Sequence, residues 1–171
     1  MNKFFIIFLF ILAGCQNNRE RLWREKIKMG DYYLSNKNID MALKFWIDSL
    51  NFKKDVLTYE KIIALLIIKN DLKEAKKYTT EGLTYFPNND NLLFNLGLLQ
   101  FYLEEYDESL KTLGKLMEKN KYYPNVHYIS GLIYEKKGDF ESAKREFIEE
   151  VNINPGSKKA WMKIKEKKNE K

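Results

Sequence analysis

The sequence predicts an all-α chain in which four copies of one helical hairpin stack in line, followed by a single capping helix. Three observations carry that prediction. Two segments align without a gap: Asn95-Leu96-Gly97 through Tyr106-Asp107-Glu108-Ser109 matches Ile129-Ser130-Gly131 through Phe140-Glu141-Ser142-Ala143, 34 residues apart. A fixed period of that length marks stacked repeats, each too small to bury its apolar face alone. Carried back from Ser109, the period lands on Ala75 and, 33 residues earlier, on Ala42, with Gly30 twelve before Ala42 as Gly131 is twelve before Ala143. Pro87 and Pro155 each stand twelve residues after Ala75 and Ala143, where a residue without an amide proton ends a helix.

Composition bounds the rest. The 171 residues are 44% hydrophobic and 32% charged, which excludes collagen-like, disulfide-stapled and disordered classes. The single Cys closes no internal disulfide, and the single His leaves no His-rich metal cluster. The net charge of +6 sits at the ends: residues 1–14 hold one Lys and no acid, residues 158–171 hold seven Lys and two Glu, and residues 15–157 balance at 22 basic and 22 acidic side chains. The basic pI therefore reports the termini and not a face for nucleic acid.

The chain opens with a short positive segment, Met1-Asn2-Lys3, and an unbroken apolar run from Phe4 through Leu12. The run is about half of the ~20 residues needed to span a bilayer, so it reads as the core of a signal peptide. Leu12-Ala13-Gly14-Cys15 follows it and resembles the bacterial lipobox, where small residues enter a narrow protease site and the Cys thiol takes a diacylglyceryl group. The expectations are a signal peptide over 1–14, a lipidated Cys15 with a possible further N-acyl chain, and a short tether over 15–22. Two acyl chains anchor stably where one holds marginally. Arg19, Arg21, Arg24, Lys26 and Lys28 would add roughly 1 kcal/mol each near an anionic surface. Gln16, where Asp would signal retention at the inner membrane in some diderm bacteria, points to the outer membrane; the outer leaflet of the inner membrane is the alternative.

The hairpins are drawn over 23–55, 56–89, 90–123 and 124–157. The first offers Gly30, Tyr33, Ile39, Ala42 and Trp46. The second keeps Asp71-Leu72, Ala75 and Pro87 but has Ile63 where Gly is expected and Thr79 where an aromatic is expected. The third keeps Leu96-Gly97, Tyr106 and Ser109, with Gln100 and Leu113 in place of aromatics and Lys121 in place of Pro. The fourth supplies Gly131, Tyr134, Gly138-Asp139-Phe140, Ala143, Phe147 and Pro155. A small residue lets two helices approach while a ring fills the wedge beside it, and Gly138-Asp139 and Asn70-Asp71 are turn residues. This pattern resembles the tetratricopeptide repeat family. The resemblance implies a right-handed α-α superhelix, a solenoid of four hairpins. Residues 158–171 read as the capping helix a solenoid needs over its last apolar face, with Ala160, Trp161 and Ile164 inward and lysines outward.

In that family the first helix of each hairpin, helix A, turns positions 2, 5, 9 and 12 or 13 toward a concave groove. The resemblance thus nominates Leu57, Glu60 and Ala64 from the second repeat, Asn91, Phe94, Leu98, Phe101 and Tyr102 from the third, and Asn125, Tyr128, Leu132 and Glu135 from the fourth. Aromatic rings suit such a groove as peptide anchors of large area and low entropy cost, and the Asn side chains suit the backbone of an extended ligand. Replacing Phe94 and Tyr128 by Ala is then expected to weaken capture of a partner with little change in unfolding. The carboxylate clamp of chaperone-binding members fails, because its opening positions hold Ile27 and Asp31. His127 falls at a packing position, and Glu104-Glu105 and Glu149-Glu150 fall in a turn and at a helix end, where solvated charge is the default.

No nucleophilic triad, carboxylate pair for acid–base work, metal-ligand cluster or phosphate loop is present in the sequence. The expectation is a non-enzymatic, exported bacterial lipoprotein with no cofactor beyond its covalent lipid. It would act as an adaptor in cell-envelope assembly, holding a segment of another envelope protein, with no nucleic acid or small-molecule substrate. The competing expectation is a structural or surface lipoprotein that mainly self-associates.

Overall fold

The computed structural model describes the backbone of residues 3–166 and the side chains of residues 16–166. Cys15 and the signal-peptide side chains before it lie outside the described side chains, as do residues 167–171 at the basic end. Among the described residues every regular element is a helix, in the order α1 (Lys3–Ser35), α2 (Ile39–Ser49), α3 (Val56–Ile68), α4 (Leu72–Tyr85), α5 (Asp90–Tyr102), α6 (Tyr106–Lys119), α7 (Val126–Lys136), α8 (Phe140–Ile153) and α9 (Lys158–Glu166). The chain divides into two compact units, Met1–Phe86 and Pro87–Lys171.

Helix boundaries follow local chemistry. Asn38, Asp55, Asp71, Asn89 and Asp139 each accept a hydrogen bond from the amide three residues ahead, as N-cap side chains do. The turn between the two helices of every hairpin reverses through one left-handed residue: Lys37 (φ 58°), Asn70 (φ 60°), Glu104 (φ 61°) and Gly138 (φ 78°). Asn and Gly tolerate that region; Lys37 and Glu104 sit there at the cost of a Cβ clash.

In the first unit α1 pairs with α2 and α3 with α4, and α2 packs on α3. Residues 15–22, expected as the lipidated N-terminus and tether, are helical and lie within α1. Arg19 ties this part of α1 back, donating to the carbonyls of Asn51 and Phe52 at 3.2–3.3 Å. The core holds Ala42, Trp46, Tyr59, Ile62 and Ile63, all essentially without solvent contact. Tyr59 donates its hydroxyl to Glu81 at 2.6 Å, and Lys54 meets the same carboxylate at 2.9 Å.

In the second unit α5 pairs with α6 and α7 with α8, and α9 packs on α8. Leu113, Leu116, Val126, Ile129 and Ile133 form its core. The capping helix differs from expectation at Trp161. Ala160 is buried, but Trp161 remains 44% exposed because its indole N–H turns back to the carbonyl of Pro155 at 3.0 Å. Glu150 also departs from expectation. It is fully buried instead of solvated, because the end of α8 faces the start of α7, where the amides of Asn125 and Tyr128 donate to its carboxylate at 3.2 and 3.4 Å. Asn125 caps α7 in the left-handed region (φ 64°) without a side-chain cap bond, so Glu150 supplies from α8 the acceptor that a local cap usually provides.

One interlock recurs within the hairpins. A Cβ on Gly30 would run into the indole of Trp46, one on Gly97 would lie 2.5 Å from Leu113, and one on Gly131 would lie 2.6 Å from Phe147. In each case the second helix drives a large side chain onto a glycine of the first, sixteen residues upstream. The remaining hairpin holds Ile63 and Thr79 at the same spacing, both fully buried, with the Thr79 hydroxyl bonded to the carbonyl of Ala75 at 2.8 Å. Large and small have changed places, so the two departures from the repeat pattern in this hairpin compensate each other in volume.

Candidate partner-binding site

The residues nominated for partner contact stand on the A helices, α3 in the first unit and α5 and α7 in the second, with Asn125 at the start of α7. On α3, Leu57, Lys61, Ala64 and Ile68 recur at spacings of four, three and four, which lines them along one helix face. Leu57 is 63% exposed, Ile68 is 71% exposed, Ala64 is also exposed, and Glu60 is half-buried. Lys61 crosses to Asp31 of α1 at 2.6 Å and lies 5.1 Å from the Trp46 ring, whose indole N–H donates to the same Asp31 at 3.1 Å. The result is an apolar stripe interrupted by one fixed ion pair. Ile68 was missed by the sequence reading. It occupies position 13 of its helix, the place that Tyr102 holds in α5, so the signal was present.

In the second unit the nominated residues separate. Phe94, Leu98, Phe101, Tyr128 and Leu132 are partly buried and packed against the unit core. The Phe94 ring lies 5.3 Å from Tyr123, and the Tyr128 ring 5.9 Å from Phe147. These side chains support the fold as well as lining a face, and truncating Phe94 or Tyr128 carries a packing cost. Asn91 accepts the Tyr123 hydroxyl at 2.7 Å, and Asn125 is exposed. Tyr102 is half-exposed, with its ring 5.6 Å from Phe101.

The charges around Tyr128 show which groups share its face. Burial pushes its phenol up; Lys163 opposes this, while Glu135, Glu166 and Tyr102 add to it. Lys163 of α9 reaches Glu135 at 3.0 Å and Glu166 at 3.6 Å, and the Glu135 carboxylate holds the ammonium above its ordinary range. Tyr102, Glu135 and Lys163 are thus among the polar groups felt by Tyr128, and the last two are paired. Lys163 had been assigned only to the solvated lysines of the cap. His127 is paired with Glu146 at 2.8 Å as a half-buried contact between α7 and α8. Among the described residues no group of three or more His, Cys, Asp or Glu side chains is gathered for a metal, and no helix is long and apolar enough to cross a membrane.

Hairpins of this length, locked by a small residue against a large one and turned through a left-handed residue, define a helical-repeat scaffold. Residues 124–156 match the tetratricopeptide repeat family model. The fold is similar to that of the crystal structure of MamA protein, with a TM-score of 0.77 and 18% identity over 85% of this chain and 80% of that one. It is also similar to YrrB, described as a TPR protein with an unusual peptide-binding site, with a TM-score of 0.65 and 21% identity over 81% of this chain and 72% of that one. In sequence, 121 residues are 26% identical to BBSome complex member BBS4 of Bos taurus, covering 71% of this chain and 23% of that protein. The chain therefore spans about a quarter of that relative. The fold is the tetratricopeptide-repeat fold.

Proposed function

We propose that this chain is an exported bacterial lipoprotein, held to a membrane by acyl chains on Cys15, that serves as a protein-binding adaptor in envelope assembly. The observation that carries the adaptor reading is the stripe on α3. Leu57, Ala64 and Ile68 expose apolar surface in register although the core of the same helix is complete without them. Burying such a stripe against a partner returns about 25 cal/mol per Å² of apolar area, and Lys61 with Asp31 would fix a polar group of the ligand between the apolar contacts. Tyr102 and the Glu135–Lys163 pair offer the second unit's counterpart. The lipoprotein reading rests on the L-A-G-C sequence and the apolar run before it. YrrB, with its peptide-binding site, supports the use of this fold to hold polypeptide.

Photocrosslinking in cells tests the proposal from Leu57 and Tyr102, which are exposed, in preference to Phe94, which is packed on the core. Adducts with another envelope protein from both positions are the expected result. Adducts formed only with a second copy of the chain would replace the adaptor reading with self-association. Mass spectrometry of the N-terminal peptide tests the anchor: a diacylglyceryl group on Cys15 is expected, and an unmodified thiol overturns that part.

A further inference from the structure

The stretch of α1 from Arg19 to Lys28 meets residues that are far away in sequence. Arg19 pins the α2–α3 turn by its bonds to Asn51 and Phe52. Lys53 of that turn consequently sits over α1, 3.3 Å from Glu20 and 4.2 Å from the Trp23 ring. A surface cleft results, lined by Glu20, Trp23, Arg24, Ile27, Lys28 and Lys53. Its floor is apolar, from Trp23 and Ile27, and three cations stand on its rim. The one acid among them, Glu20, is already engaged by both Arg24 at 3.2 Å and Lys53, so the rim keeps a surplus of positive charge.

Position sets the ligand. The cleft begins five residues after Cys15 on the same helix, and at 1.5 Å per residue Glu20 is about 8 Å and Lys28 about 20 Å further along the axis. The near edge thus falls within about one Debye length of the lipid-bearing residue at physiological salt, about 8 Å, and the far edge is reached when α1 inclines toward the surface. An indole beside cations is a side-chain set suited to headgroup depth, where amphipathic rings settle. We infer that this cleft seats the phosphate of anionic phospholipids, so that the end of the first unit carrying the α2–α3 turn faces the membrane. The inference deepens the anchored-adaptor reading and rests on it for the placement of Cys15.

The test uses the full chain in vesicles of phosphatidylcholine alone or with 30 mol% phosphatidylglycerol, and follows acetylation of the Lys28 and Lys53 amines by mass spectrometry, with Lys115 as the reference. Both amines are expected to react at least about threefold more slowly with phosphatidylglycerol present, since each cation near an anionic surface gains roughly 1 kcal/mol. The difference is expected to vanish in 0.5 M salt. In the Arg24→Gln/Lys28→Gln variant, protection of Lys53 is expected to drop below about 1.5-fold with unfolding unchanged. Equal labelling in the two vesicle types, or protection that survives the double substitution, overturns the inference. A thiol found unmodified at Cys15 would sink the anchor instead, while the labelling comparison, made with vesicles mixed with the chain, still decides the cleft.

Discussion

Exchanging the interlocking pair of one hairpin for that of another is the sharpest test of how these hairpins hold together. The perturbation is Gly131→Ile with Phe147→Thr, which gives the fourth repeat the pair found at Ile63 and Thr79. Alone, Phe147→Thr empties the space of a fully buried ring, and truncations of that size cost about 3–5 kcal/mol. Alone, Gly131→Ile is worse placed than an ordinary overpacking change of about 1–3 kcal/mol, because even its Cβ would lie 2.6 Å from the ring. Together they relieve each other. The new hydroxyl also finds a partner: residue 147 stands four after Ala143 as Thr79 stands four after Ala75, the carbonyl that Thr79 uses. The double variant is expected to lose less than about 2 kcal/mol, a favourable coupling of about 3 kcal/mol or more in a double-mutant cycle. Urea unfolding followed by far-ultraviolet circular dichroism measures all four proteins. Additive losses would refute the idea that volume is conserved pairwise inside each hairpin.

Other substitutions read out other features. Glu150→Ala removes the acceptor of two amides at the start of α7 and is expected to cost about 2–4 kcal/mol in urea unfolding, more than Glu150→Gln; no loss would show that the buried carboxylate caps nothing. The Glu146 carboxylate holds His127 above the ordinary imidazole range, against the downward push of burial. Because the folded-state value is the higher one, the pair's contribution is complete below the unfolded value, near 6.5, and is lost as pH rises through the folded value; His127→Gln is expected to flatten the unfolding midpoint between pH 6 and 8. At Gly114, inside α6, an added Cβ meets nothing within 4 Å, so Gly114→Ala is expected to stabilise by about 0.4–1 kcal/mol, raising Tm by about 1–4 °C. Glu104→Gly relieves a left-handed side-chain clash and is expected to raise Tm similarly; a lower Tm in either variant would count against the reasoning given for it.

The 34-residue spacing was enough to place hairpins, because small and aromatic residues recur wherever two helices must meet closely. Asn70-Asp71 and Gly138-Asp139 declared their turns through residue type. Lys37 and Glu104 did not, since nothing in those side chains signals a left-handed backbone; closure of the hairpin imposes it. Ile63 and Thr79 each looked like decay of the pattern, and only their burial at equivalent depth shows them to be a pair. Glu150 read as solvated because a charge near a helix end usually is, and the amides that hold it lie 22 to 25 residues upstream. The groove positions were harder still. A residue facing a partner and a residue completing the core share the same A-helix periodicity, so Phe94 and Tyr102 are alike in sequence, while contact with Tyr123 draws the first toward the interior and leaves the second exposed. Lys53 over Trp23 was out of reach of any local pattern.

The interlock sixteen residues across each hairpin has a bearing on how such chains diverge. When fit is settled inside a single motif, each copy is free to drift along its own course, trading bulk from one helix to the other without consent from its neighbours. The repeat pattern then erodes copy by copy while each hairpin keeps its own fit, as Ile63 with Thr79 stands beside Gly131 with Phe147. The copy with Gly131 against Phe147 lies within the segment that a family model matches.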